Sequence, residues 1–148
     1  MNHRFSTDRF TMIVCPYPLI VRDGKILLAR RKGTDYMPGM YSLPAGHEEE
    51  NEKMMTCLTR EVQEEVGIVI DPKHPTLVHV MHRREEDVRM DLFFLVTEWR
   101  GTPIICEPDK CDDVGWYAAD ALPDNTVPYI RAAIVAWQRG ILYQERGW

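Results

Sequence analysis

Apolar residues fall along this chain in short blocks divided by charged or Gly/Pro-containing turns. The block FTMIVCPYPLIV and the block ILLARR flank Arg22-Asp23-Gly24-Lys25, a pattern that predicts a β-hairpin. A loop over 32–40, with Gly33, Pro38 and Gly39, leads to a short strand, MYSLP. TLVHVMHR and DLFFLVTEW read as strands on either side of the charged turn REEDVRM. A further strand, VGWYA, follows a loop rich in Pro, Cys and Asp, and Ile130, Ala133, Ile134 and Trp137 recur at helical spacing over about 127–142. The order is hairpin, helix, several strands, helix. An α/β fold with a mixed sheet sandwiched between helices is the economical architecture.

The helix between Gly46 and Ile68 carries the chemistry. Seven carboxylates (Glu48, Glu49, Glu50, Glu52, Glu61, Glu64 and Glu65) are expected on it, with Gly67 as its C-terminal cap. At 100° per residue, with Glu61 set at 0°, Glu65 lies near 40° and Glu64 near −60°, so the three share an arc of about 100°. Met55, Leu58, Val62 and Val66 fall between about 60° and 140°, a separate apolar stripe to pack on a core. Carboxylates this close repel unless protons or a hard cation sit between them. Oxygen ligands favour Mg²⁺ or Mn²⁺ over zinc.

The 148 residues, 45% apolar and without repeat or linker, suit a single domain over 1–148. A net charge of −5 and the lack of a basic stripe argue against a nucleic-acid polymer as partner, while a phosphate-rich small molecule remains compatible because bound cations invert the local field. Cys15, Cys57, Cys106 and Cys111 have neither disulfide-framework nor metal-ligand spacing, so reduced thiols and a cytoplasmic location are expected. Arg4 and Arg9 before the first apolar block imitate a signal peptide, but Pro16 and Pro18 interrupt it and no small-residue cleavage site follows. No apolar stretch has membrane-helix length.

Gly46, five residues, Glu52, seven residues, then Arg60-Glu61-Val62-Gln63-Glu64-Glu65-Val66-Gly67-Ile68 fills every fixed position of the Nudix signature. The chain resembles the Nudix hydrolase family, of MutT-like type, and the likeness of fold would span roughly residues 10–140. The resemblance implies an α/β/α sandwich and Mg²⁺- or Mn²⁺-dependent hydrolysis of a nucleoside diphosphate linked to another moiety, by attack of water on phosphorus. It further implies that Glu61, Glu64 and Glu65 are metal ligands, that Glu64 or Glu61 deprotonates or orients the water, and that Arg60 and Glu52 brace the box. Gly46 is similar to the glycine whose carbonyl reaches the metal. Glu107, in the loop after DLFFLVTEWRG, resembles the additional acid found in several members, whereas Asp113 behind it is expected in a solvated turn.

Three positions depart from common family usage without touching the fixed box: Ala45 for a glycine, Asn51 for a glycine, and Tyr41 for a tryptophan. Asn51 is the non-glycine type that best tolerates a left-handed backbone. Subfamily marks are missing, since the downstream proline of ADP-ribose hydrolases and tyrosine of dinucleoside polyphosphate hydrolases fall on Arg83 and Glu85. Asn125 stands either as a helix N-cap or where MutT-like members present an asparagine to a purine. Arg31, Lys32, Arg83 and Arg84 are candidate phosphate contacts. The leading expectation is a nucleoside triphosphate pyrophosphohydrolase, monomeric or homodimeric. A nucleotide sugar, ADP-ribose or dinucleoside polyphosphate hydrolase is the alternative, as is a non-catalytic nucleotide sensor.

Overall fold

A computed structural model describes residues 8–148. The expected hairpin is β1 (Ile13–Arg22) and β2 (Lys25–Arg31), joined through Asp23 and Gly24, whose φ angles of 51° and 73° are those of a two-residue primed turn. Then follow β3 (Tyr41–Ser42), α1 (Met54–Val66), β4 (Thr76–Arg84), β5 (Val88–Val96), β6 (Cys111–Ala118), α2 (Pro128–Gln138) and β7 (Tyr143–Arg146). Arg4 lies outside the described residues.

The sheet is mixed. β1 runs parallel to β5 over Ile13–Ile20, β5 pairs antiparallel with β4, and β4 pairs in parallel with β7. β2 pairs antiparallel with β1 near the turn, with β3 at its far end and with β6 along its length. Alternation along β1 and β2 places helices on both faces. Leu19, Ile26 and Leu28 pack with Ile130, Ala133 and Ile134 of α2, whereas Ile20 and Leu27 pack with Leu58, Val62 and Val66 of α1. The apolar stripe of α1 therefore docks as its spacing predicts, and the fold is the expected α/β sandwich. No helix among the described residues is long and apolar enough to cross a membrane.

Three expectations need correction. Only Glu61, Glu64 and Glu65 of the seven carboxylates are on α1, which begins at Met54. Asn51 is left-handed at φ 63°, which an α-helix does not admit, and Glu49–Glu52 form a separate turn closed by Glu52 N–H to Glu49 O at 3.1 Å. Asp113 is not in a solvated turn: β6 begins earlier than its apolar core, and Asp113 accepts from the Tyr41 and Tyr117 hydroxyls at 2.5 and 2.7 Å. Finally, α2 ends at Gln138; Gly140, at φ 70°, turns the chain into β7, an edge strand too short and polar to show a period.

Candidate active site

The C-terminal end of α1 is where separate parts of the chain meet. Gly67 takes the left-handed cap conformation, φ 76°, and donates to Gln63 O at 3.0 Å. The loop after β5 satisfies two further orphan carbonyls: Ile104 N–H donates to Val66 O at 3.0 Å and Cys106 N–H to Glu65 O at 3.2 Å. This stitching delivers Glu107 to the helix end. There it shares a cavity of about 570 Å³ with Glu65, Gly46, His47 and Lys110.

Burial, then the charges of Glu61 and Glu107, push the Glu65 carboxyl up to about 8. Such a group takes a proton or a cation to be comfortable. Lys110 Nζ lies 3.4 Å from Glu107 Oε2 and supplies part of that charge.

Arg60 organises the other flank. Its Nε and Nη2 donate to Glu52 Oε2 and Oε1 at 2.7 and 2.9 Å, a bidentate pair that holds the Glu52 carboxyl down to about 2. Nη1 lies 2.9 Å from Glu61 Oε1 and 3.2 Å from Glu64 Oε2. The structure thus brings Glu52, Arg60, Glu61 and Glu64 into one ion-pair network, with Gly46 against it. A Cβ built on Gly46 would run into the Glu61 carboxylate, so any side chain there has to push that carboxylate aside. The Gly46 carbonyl faces the thiols of Cys15 and Cys57 at 3.5 and 3.7 Å.

Among the described residues no three His, Cys, Asp or Glu side chains already surround a single point as metal ligands, and Glu61 and Glu64 are turned to Arg60. The donor set nevertheless fits a hard divalent cation: all its ligands are oxygens, and the raised Glu65 carboxyl marks a place where positive charge is needed.

The remaining candidates divide. Arg31 lines the cavity, with Nε donating to Tyr36 O at 2.9 Å. Arg83 also lines it but is 2% exposed, paired to buried Asp91 at 2.7 Å and lying 3.6 Å from the Tyr129 ring centroid. Asn125 is not among the residues lining the cavity; its amide donates to Gly39 O at 2.8 Å, and the N-cap of α2 is Val127. Sequence reasoning missed Tyr36, His47, Glu85, Arg89 and Tyr129 as cavity residues. For Glu85 and Arg89 the charged hairpin REEDVRM was visible, and its position over the cavity was not.

A family model described as NUDIX domain matches residues 14–138. The chain is 31% identical over 105 residues to a protein named NAD-capped RNA hydrolase NudC from Stutzerimonas stutzeri strain A1501, covering 71% of this chain and 36% of that protein. It therefore spans little more than a third of that relative's length. Among solved structures it is similar to the MutT NUDIX hydrolase from Burkholderia pseudomallei, with TM-score 0.77, 29% identity, and coverage of 85% of this chain and 98% of the other. It is also similar to the E. coli ORF135 protein, with TM-score 0.70, 26% identity, and coverage of 88% and 91%. With β2 to β6, nearly all of β1 and both helices inside the matched span, the chain belongs to the Nudix hydrolase family.

Proposed function

We propose that this chain is a Mg²⁺- or Mn²⁺-dependent pyrophosphohydrolase that cleaves a nucleoside triphosphate. The observation that carries the reading is the convergence of Glu65 and Glu107 in one cavity, beside a box whose Glu61 and Glu64 are braced by Arg60 and Glu52. Glu61, Glu64, Glu65, Glu107 and the Gly46 carbonyl would hold the cation, which when bound supplies positive charge against the pyrophosphate and its leaving group.

The residues of the chain do the rest. Glu64 or Glu61 accepts the proton of the attacking water as its oxygen bonds to phosphorus and the bridging P–O bond breaks. Glu52 fixes two of the Arg60 nitrogens in the bidentate pair, which sets where the third meets the Glu61 and Glu64 carboxylates. Arg31, Arg89 and Lys110 line the cavity as cations for phosphate oxygens. All four box acids, Glu52, Glu61, Glu64 and Glu65, are present, which favours an enzyme over a sensor.

One observation favours a second reading. The relatives named NAD-capped RNA hydrolase make a dinucleotide pyrophosphate, free or at an RNA end, the alternative substrate, against the net charge of −5. Release of phosphate, pyrophosphate and nucleoside monophosphate is to be measured from nucleoside triphosphates, NAD⁺, NAD-capped RNA, ADP-ribose and nucleotide sugars, with Mg²⁺, Mn²⁺ or chelator. Metal-dependent release of pyrophosphate from triphosphates supports the first reading. Turnover confined to NAD⁺ or capped RNA replaces it with the second, and tight binding without turnover indicates the sensor.

A further inference from the structure

The loop over 32–39, between β2 and β3, puts Thr34 and Tyr36 on the wall of the cavity, and it is fastened on several sides. Gly39 N–H donates to Arg31 O at 2.7 Å and Arg31 N–H to Met40 O at 2.9 Å, which closes its neck. Lys32 N–H donates to Lys110 O at 2.8 Å. Gly33, at φ 64°, rests against the Asp109 carbonyl, which a Cβ there would overlap. The loop is thereby joined to the segment that carries Glu107. At its tip the Tyr36 carbonyl accepts from Arg31 Nε and Thr34 Oγ1, both at 2.9 Å, and the Tyr36 hydroxyl donates to Glu85 Oε2 at 3.1 Å across the cavity. The ring is held at both ends, by its own backbone and by the β4–β5 turn.

Three phenol rings line the cavity. Tyr17 and Tyr129 are each 6% exposed and pack against each other, with Tyr17 stacked on Phe93, whereas Tyr36 is 42% exposed. Tyr36 is therefore the phenol with open ring surface beside a ligand-sized space. Covering that surface removes apolar area from water, and little side-chain entropy is lost because the ring is already fixed. The neighbours narrow what can cover it. The Arg31 guanidinium, one of the cations proposed for phosphate oxygens, lies 5.4 Å from the centre of the Tyr36 ring. A flat group joined to a phosphate by a short linker can lie on the ring while its phosphate meets Arg31, and a nucleotide has that form. Resting on the reading of this cavity as a nucleotide site, we infer that Tyr36 is the platform on which the nucleobase stacks. Stacking requires a π face and no particular row of donors and acceptors, so the platform serves purines and pyrimidines alike.

The test is equilibrium binding of AMP, GMP, CMP, UMP and ribose 5-phosphate by calorimetry with Mg²⁺ present, in the wild-type chain, Tyr36→Ala and Tyr36→Phe, with thermal unfolding as the check on folding. Ribose 5-phosphate keeps the sugar and the phosphate and lacks the base. The wild type is expected to bind each of the four nucleotides on the order of tenfold tighter than ribose 5-phosphate. Tyr36→Ala should bring the nucleotides to the level of ribose 5-phosphate and leave ribose 5-phosphate unchanged. Tyr36→Phe, which loses the bond to Glu85 and keeps the ring, should stay within a few-fold of the wild type. Nucleotides bound no tighter than ribose 5-phosphate, a gain confined to one base, or a base advantage that survives in folded Tyr36→Ala overturns the inference. An equal loss of ribose 5-phosphate in Tyr36→Ala, or a Tyr36→Phe protein as weak as Tyr36→Ala, overturns it as well. Turnover separates it from the hydrolase reading. Metal-dependent cleavage of nucleotides whose binding ignores Tyr36 removes only the platform, whereas a Tyr36-dependent base advantage without any cleavage removes only the hydrolase.

Discussion

Gly46 faces the carboxylate of Glu61 so closely that a Cβ at position 46 would overlap it. Two segments that are fifteen positions apart in sequence thereby fix each other, and any side chain at 46 must displace a proposed ligand. Gly46→Ala is expected to keep the fold, to weaken Mn²⁺ binding and to lower kcat by on the order of 100-fold, the usual cost of a small misplacement in an active site. Circular dichroism and single-turnover kinetics check it.

Glu52 and Arg60 form the brace, and its loss is expected to act at a distance. Glu52→Gln should lower turnover by about 10- to 100-fold, as removal of an orienting partner does at metal sites. Because the folded Glu52 carboxyl titrates near 2 and its ordinary value is 4.5, its contribution to stability is full above about 4.5 and is lost as pH falls toward 2. Acid unfolding of the wild type is expected to steepen in that window more than that of Glu52→Gln.

Glu65 gives the opposite sign. In the metal-free chain its carboxyl is held up to about 8, so ionising it opposes folding as pH rises from about 4.5 to about 8. A cation bound there as proposed would displace that proton. Mn²⁺ affinity is expected to rise with pH up to about 8 and level off above it, with proton release visible as a dependence of the calorimetric heat on the buffer. Glu65→Gln should bind more weakly and lose the pH dependence.

Arg83 and Asp91 are a buried pair on neighbouring strands, joined at 2.7 Å. Arg83→Ala would strand the Asp91 carboxyl and is expected to cost about 3–5 kcal/mol in urea unfolding. The double variant Arg83→Ala/Asp91→Ala should recover much of that loss.

Box, apolar stripe and hairpin were legible because each is a local pattern: Leu58, Val62 and Val66 dock at helical spacing, and Asp23-Gly24 turns where the dipeptide predicts. The start of α1 was not, since Glu48 to Glu52 stand in the same signature segment as Glu61, Glu64 and Glu65, and only the left-handed backbone of Asn51 shows that a turn precedes the helix. Nor were β7, which is defined by parallel pairing with β4 rather than by a period of its own, or the setting of Glu85 between Arg83 and Tyr36, which depends on a loop 49 residues away.

Hydrolysis by this chain, as proposed, depends on the acids of its box. Turnover of the preferred nucleotide by Glu64→Gln, measured beside its binding affinity for that nucleotide, tests it most directly. Turnover is expected to fall by at least about 100-fold while affinity stays within a few-fold of the wild type. Unchanged turnover in the folded variant would contradict it.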